Sequence, residues 1–355
     1  MPDLECRVLT SADDLMPVRE AITQLSVNRH MLAASPFMLQ ALTESGESLF
    51  PGLCWFLCVD EYGPAALLPL RRMVEADSRL APLSLTSVSR FEMLYADALV
   101  RPDVPPSAMA SALLQTPVIG GRRADVVRLR NLPQDSQLLA IARALSAQCD
   151  VQEGTSVIAV GADAEAWRRG LSRNLRGQIK QSESRLRRTG PLAVRAPENA
   201  TEMSEAFSRF VALEASGYKA SRDALANVPG DRAILEGTLL GHAREGTAHL
   251  IELCVGDTLV ASQFGVICGD RLYLIKIAFD ERFAGASPGT FLMASLLQRL
   301  ADEGRVKTVD CCVRQRWHAR WHPLVEMYTT ATIPNTGTPK GFALRAGRAL
   351  RATLG

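Results

Sequence analysis

Stretches in which apolar residues recur at every second position alternate along this chain with stretches in which they recur every three to four. These are the rhythms of strands and amphipathic helices. The spacing predicts a strand at Glu5–Thr10 and a helix near 12–26 behind an N-cap at Ser11, with Asp14 three residues on. A second helix is expected near 36–46, then a hairpin of Cys54–Val59 and Pro64–Val74 around Glu61-Tyr62-Gly63. Strands near 94–100, 124–130 and 155–160 and helices near 107–116 and 134–147 complete the first half.

The second half repeats that order. It reads as helical through 162–188, a short strand at Leu192–Arg195, and helices near 198–216 and 231–244. Three strands follow, His249–Val255, Leu259–Ile267 and Arg271–Phe279, joined at Gly256-Asp257 and Gly269-Asp270, both hairpin signals. A helix from Pro288 to about Glu303, a strand at Val306–Cys311, a short helix near 315–321, a strand at Glu326–Ile333 and a helix near 341–352 finish the pattern. Helices followed by a strand meander, twice over, predict an α/β protein of two similar domains. Each is a mixed, largely antiparallel sheet flanked by helices, over 1–160 and 161–335, with a basic amphipathic helix in 336–355.

Composition adds little until charge is mapped. With 355 residues, 47% apolar and 22% charged, the chain is long enough for two cores and has an ordinary globular balance. The net charge of +2 hides two basic segments. Residues 168–188 hold eight Lys/Arg against one acid, Glu183, and 340–355 hold four against none. Such local charge suits a phosphate or an anionic surface, and is too confined for a DNA-binding face. The eight cysteines form no Cys-x-x-Cys pair and several lie in apolar runs, so they read as reduced core thiols of a cytoplasmic protein. The start of the chain lacks signal-peptide character, and no run of about 18 apolar residues is present to span a bilayer.

Candidate chemistry gathers between Tyr273 and Leu292. A strand leads through a loop with Gly285 to Ser287, an N-cap candidate, and Pro288, which fits the first helical position. The amides of Gly289, Thr290 and Phe291 would then face an anion with the helix dipole behind them. An ordinary capped helix is the plain alternative. Alternation along the strand puts Tyr273, Ile275, Ile277 and Phe279 on one face and Leu274, Lys276, Ala278 and Asp280 on the other. A lysine in a central strand needs a partner, and Glu214, Asp310 or substrate are the expected ones. Glu214, near the end of a long helix, is a candidate base. Arg173, Arg176, Lys180 and Arg187 share a helical face that would serve phosphate or simply be solvated. His318 is a candidate proton shuttle. His318 and His322 are four apart but have no third ligand in view, so no metal is expected. Trp317 and Trp321 fit anchoring of their helix to the core. The last helix has Arg345, Arg348 and Arg351 on one side and Phe342, Ala346, Ala349 and Leu350 on another. It suits an anionic membrane surface, a cyclic dinucleotide, or docking onto the protein itself.

Residues 160–330 resemble the cellulose-biosynthesis-type acetyltransferase family of the GNAT superfamily, related to Fem-type aminoacyl transferases. The matching pieces are Ser172-Arg173-Asn174-Leu175-Arg176, Leu213-Glu214 with Tyr218-Lys219, Lys276–Asp280, Ser287-Pro288-Gly289, and Asp310 before Trp317–Trp321. The first half, with Ser35-Pro36-Phe37 and Leu67–Leu70, is similar to that family's degenerate first domain. The chain departs from the family at Tyr218, where Trp is frequent, at Ala220, where Gly is frequent, and in the loop Arg282–Ser287.

The resemblance implies tandem GNAT-like domains and an acyl-CoA-dependent N-acyltransferase, with acetyl-CoA or a longer acyl-CoA as co-substrate and no metal. Glu214, Lys219, Lys276 and His318 would be catalytic. Ile277, Ala278, Gly285, Ser287, Gly289, Thr290, Arg173 and Arg176 would hold the cofactor. The implied acceptor is a small-molecule or lipid-linked amine of a cell-envelope precursor, either an exopolysaccharide amino sugar or a sphingoid base giving a ceramide-like product. The enzyme would work in the cytoplasm, at the inner face of the membrane as a peripheral protein. A catalytically silent regulatory or nucleotide-binding protein of exopolysaccharide biosynthesis, or an aminoacyl-tRNA-dependent ligase, are the alternatives.

Overall fold

The computed structural model describes residues 4–10, 13–26, 32–45, 50–74, 81–88, 95–161, 163–217 and 224–354. The chain divides into two compact units, one holding 33–153 and 327–355 with the N-terminal segment, the other holding 154–326.

The first unit contains β1 (Glu5–Thr10), α1 (Met16–Leu25), α2 (Pro36–Ser45), β2 (Leu53–Asp60), β3 (Gly63–Val74), β4 (Leu83–Ser87), β5 (Leu99–Val100), α3 (Pro106–Gln115), β6 (Pro117–Ile119), β7 (Arg122–Arg123), β8 (Val126–Leu132) and α4 (Gln137–Ala144). After β9 (Gln148–Ala159) come α5 (Ala164–Gly170), α6 (Arg173–Thr189), β10 (Leu192–Arg195), α7 (Ala200–Ala215), α8 (Pro229–Arg244), β11 (Ala248–Val255), β12 (Thr258–Cys268), β13 (Arg271–Phe279), α9 (Pro288–Glu303) and β14 (Thr308–Asp310). Last are β15 (Leu324–Pro334) and α10 (Pro339–Leu354).

In the first unit the strand order is β1-β2-β3-β4-β8-β15, with β5 also on β3. β4 and β8 are its parallel pair. In the second unit the order is β9-β14-β13-β12-β11-β10, and β13 and β14 are the parallel pair. Parallel neighbours need a crossover, and a helix supplies it in each case, α3 between β4 and β8 and α9 between β13 and β14. The expected fold class is therefore the one present: α/β, each unit a mixed, largely antiparallel sheet with helices packed on it. The first core gathers Phe56, Leu68, Leu85, Met109, Leu113, Val127, Leu129 and Leu139. The second gathers Leu175, Leu186, Ile251, Leu272, Leu274, Leu292, Leu296 and Val309.

Several local expectations change. The helical run through 162–188 breaks at Leu171-Ser172 because it contains two N-caps, Asp163 accepting from the Ala166 amide and Ser172 from the Leu175 amide. The strand near 94–100 shrinks to β5, and residues 316–321 form a 3-10 turn. Ser11 lies outside the described residues, and the first helix begins at Met16. The reduced-thiol expectation is corrected at one pair. Cys6 and Cys58 form a disulfide because they stand directly opposite in the β1–β2 register, with Cα atoms 4.2 Å apart. The other six cysteines form no disulfide, and five of them are buried.

The largest correction lies in β13. Phe264 stands opposite Lys276, yet Gly265 stands opposite Leu274. Consecutive residues of β12 point to opposite faces, so Lys276 and Leu274 do too, and Ile275 is the extra residue of a β-bulge. The bulge moves Tyr273, opposite Val266, onto the face of Lys276, and leaves Leu272, Leu274 and Ile277 on the α9 side. Gly265 makes the bulge possible: a Cβ there would lie 2.1 Å from the Tyr273 carbonyl oxygen.

Gly265→Ala should therefore lower stability by about 1–3 kcal/mol, read as a denaturant midpoint shift, because backbone rather than a mobile side chain must give way. An unchanged midpoint would remove the bulge as the reason for the glycine. A second expectation concerns pH. Burial pushes His242 and His318 down to about 4, and His249, also beside Arg299, down to about 3. Ordinary histidine titrates near 6.5, so below that pH the unfolded chain binds protons that these rings refuse, and stability rises with pH across the interval. The melting temperature should fall from pH 7 to pH 5, and His249→Gln should flatten that slope. A slope identical in the variant would contradict the assignment.

Candidate active site

The site begins where β13 and β14 part. They pair over Arg271–Tyr273 and Thr308–Asp310, and beyond Tyr273 no strand among the described residues lies along that edge of β13. Two causes coincide at this point. On β13 the bulge at Ile275 turns the strand. On the other side the chain leaves the sheet at Cys312, which is left-handed with φ 58°. The carboxylate of Asp310, with 0% exposure, fixes that departure. It accepts from Thr155 Oγ1 at 2.6 Å, from the Cys312 amide at 2.8 Å and from Arg271 at 3.3 Å. Arg271 in turn forks onto Glu326 at 2.8 and 2.9 Å. The expected positions Ile277 and Ala278 stand on the open stretch of β13.

Against that stretch lies a buried ion pair. Lys276 Nζ donates to Glu214 Oε1 at 2.9 Å, with the side chains 6% and 1% exposed. Glu214 sits on the buried stripe of α7 with Phe207, Phe210 and Val211. Phe207 and Phe210 meet Phe264 edge-on, and Phe264 is the cross-strand neighbour of Lys276. Aromatic packing thus carries the carboxylate to the lysine. Glu214 Oε2 accepts from the Leu225 amide at 2.9 Å, which ties it to the segment after α7. Of the three expected partners of Lys276, the structure supplies Glu214, while Asp310 is engaged elsewhere.

The head of α9 differs from expectation. Ser287 is left-handed, φ 54°, and its side chain caps nothing. The Thr290 and Phe291 amides both donate to the Ser287 carbonyl, at 3.0 and 3.4 Å. Of the three amides expected to face an anion, Gly289 alone has no carbonyl partner among the described residues. The Gly289 backbone sits against the sheet, where a Cβ would stand 3.6 Å from Ile277 Cδ1. α6 holds this loop: Ser182 donates to the Ala286 and Ser287 carbonyls and Arg185 to that of Gly285. Arg320 donates to Thr290 Oγ1 at 3.0 Å, which brings a guanidinium to the helix head.

Arg185, Ser182 and Arg320 are the residues that sequence reasoning did not single out here. Ser182 was legible as part of the stripe Leu175, Ile179, Ser182, Leu186, whereas Arg185 and Arg320 look like any surface arginine. Arg173 is exposed, and Arg176 donates to the Arg168 and Arg169 carbonyls at the end of α5. Arg187 pairs with Glu183. His318 is buried with its Nδ1 accepting from the Gln315 amide, so its ring caps the 3-10 turn and the remaining proton sits on Nε2. Trp321 belongs to the second core and Trp317 packs on it. Lys219, with Tyr218 and Ala220, lies outside the described residues. Among the described residues no three His, Cys, Asp or Glu side chains gather to hold a metal ion.

Residues 173–318 match the family model of the acetyltransferase (GNAT) domain. No curated protein matches the chain. The fold is shared with the C-terminal domain of a protein from Agrobacterium fabrum named as a lysylphosphatidylglycerol synthetase, at TM-score 0.57 and 13% identity, over 96% of this chain and 98% of that one. It is shared with FemX at TM-score 0.57 and 11% identity, over 94% and 98%. L-PGS from Bacillus licheniformis is similar at TM-score 0.53 and 11% identity, over 91% and 92%. The segment matched as a GNAT domain, from the start of α6 to His318, contains the β13–β14 fork, the Lys276–Glu214 pair and the head of α9.

Proposed function

We propose that this protein is an acyl-CoA-dependent N-acyltransferase whose acceptor is an amine of a cell-envelope precursor, an amino sugar or a sphingoid base. The observation that carries the reading is the open edge of β13 between a buried Lys–Glu pair and a helix head bearing Arg320. An extended pantetheine arm would add to that edge as another strand, its amides meeting the backbone of Ile277 and Ala278. The diphosphate would then meet the Gly289 amide with Arg320 and Arg185 close by. The match of residues 173–318 to the GNAT model supports the same assignment.

Chemistry follows from the pair. The amine nitrogen attacks the thioester carbonyl carbon, the C–S bond breaks, and the nitrogen loses a proton while the thiolate gains one. Glu214 accepts the amine proton, which then passes to the departing thiolate, so the base is regenerated and no proton is gained or lost overall. Lys276, bonded to Oε1, and the Leu225 amide, bonded to Oε2, hold that carboxylate in place. Asp310 positions the strands and does not touch the reacting atoms. A donor that is an aminoacyl ester of tRNA is the second reading, favoured by the fold shared with lysylphosphatidylglycerol synthetase.

Purified protein with acetyl-CoA or a longer acyl-CoA and a panel of amino sugars and sphingoid bases should release free thiol in step with amide, read by thiol absorbance and mass spectrometry. Amide formed only with charged tRNA would move the assignment to the second reading, and none with either donor would end it. Glu214→Gln should lower kcat by about 100-fold or more with KM for the donor little changed. Removing one partner also leaves a buried charge, at a cost of about 3–5 kcal/mol, so the melting temperature is read alongside. The Lys276→Met/Glu214→Leu double variant should regain much of that stability and none of the activity. Wild-type turnover by the double variant would make the pair purely structural.

A further inference from the structure

The first unit carries a surface that the chemistry of the second does not use. α10 is rooted tightly. Asn335, 3% exposed, donates to the Leu114 and Ala124 carbonyls at 2.9 and 2.8 Å and accepts from the Gly337 amide. The Thr338 hydroxyl accepts from the Gly341 amide at 3.1 Å. Gly341 sits so close that a Cβ would lie 2.0 Å from the Asn335 carbonyl oxygen and 2.6 Å from that of Asp125. Lys340 donates to the Ala81 carbonyl. One residue later the helix leaves the body: Phe342 is 63% exposed, and Ala343, Arg345, Ala346 and Gly347 are exposed.

A second feature rises beside that root. The β6–β7 hairpin turns through Gly120-Gly121, both with positive φ, and pairs Ile119 with Arg122. Ile119 is 50% exposed, and Arg122 and Arg123 are exposed. Arg122 lies 3.8 Å from Asp125, and Arg123 makes no ion pair among the described residues. Arg122 is two residues, about 7 Å, from Ala124, which the Asn335 side chain grips.

We propose that α10 and the β6–β7 hairpin together form a docking surface for an anionic lipid bilayer. Both set an exposed apolar side chain near exposed arginine, Phe342 with Arg345 on α10 and Ile119 with Arg122 and Arg123 on the hairpin. Residues 340–355 contain four Lys/Arg and no acid, and 117–123 contain two arginines and no acid. At 3.6 residues per turn, positions 345, 348 and 351 share one sector of α10, and 342, 346, 349 and 350 the other, the arrangement of a helix lying in a membrane interface. Charge complementarity selects the occupant. A second copy of the chain would bring two acid-free basic helices together, whereas an anionic bilayer accepts the arginines at its headgroups and Phe342 and Ile119 below them. The inference does not depend on the acyl-transfer reading, since binding is read without donor or acceptor.

Intact protein should sediment with phosphatidylcholine vesicles containing about 30% phosphatidylglycerol and leave pure phosphatidylcholine vesicles in the supernatant, in the order that charge attraction dictates. Replacing Arg345, Arg348 and Arg351 together by Gln should weaken binding about 100-fold, roughly fivefold for each arginine. Arg122→Gln/Arg123→Gln should weaken it by about 25-fold on the same scale, and Phe342→Ser should also reduce it, all with unchanged melting temperature. Equal binding to both vesicle types, arginine variants that bind as wild type, or concentration-dependent self-association abolished by Phe342→Ser would each overturn the proposal.

Discussion

The Asp310 carboxylate, fully buried, accepts at once from Thr155, the Cys312 amide and Arg271. Each bond compensates part of the cost of taking a charge out of water, and together they determine where β14 stops. Were that end of the strand to continue alongside β13, Ile277 and Ala278 would be spent on sheet pairing. Instead the parallel pair ends at Tyr273, the bulge at Ile275 turns β13 away, and an edge is left beside the chemistry-bearing side chains. An interior edge is costly for a sheet and reads as function when the structure stabilises it with buried charge on one side and a bulge-permitting glycine on the other.

Two further constraints give the edge its character. Phe207 and Phe210 seat α7 on Phe264, and one helical turn on they place Glu214 at the Lys276 ammonium. An ion pair so buried adds little net stability, but it ties one register of helix to sheet. At the other end, α6 clamps the loop before α9 through Ser182 and Arg185. The head of α9 therefore offers one free amide backed by arginine side chains, a leaner anion site than a full turn of amides.

Much of this was legible in the chain. Strand and helix rhythms located the meander of β11, β12 and β13 and the crossover helix α9, because alternation and Gly-Asp turns are local signals. Lys276 stood out since a cation in a central strand demands an answer, and Glu214 was among the expected ones. What local signals cannot carry is register. The bulge at Ile275 depends on which residue of β12 faces which of β13, and it reversed the expected face of Tyr273. The Cys6–Cys58 pair depends on a register across 52 residues. The N-cap expectation for Ser287 failed for a related reason: its backbone is left-handed and its side chain caps nothing, while Ser182 of α6 bonds the Ala286 and Ser287 carbonyls. Arg185 and Arg320 carry no distinguishing sequence feature, because what makes them part of the site is where the fold delivers them.

A ligand lying along the open edge of β13 is what every part of the site is arranged to receive. Amide hydrogen exchange measured with and without coenzyme A tests this directly. Exchange at 277–279 and at Gly289 should slow when coenzyme A is added, with β10 and β11 unchanged. Protection confined to other segments, or none at saturating coenzyme A, would contradict it.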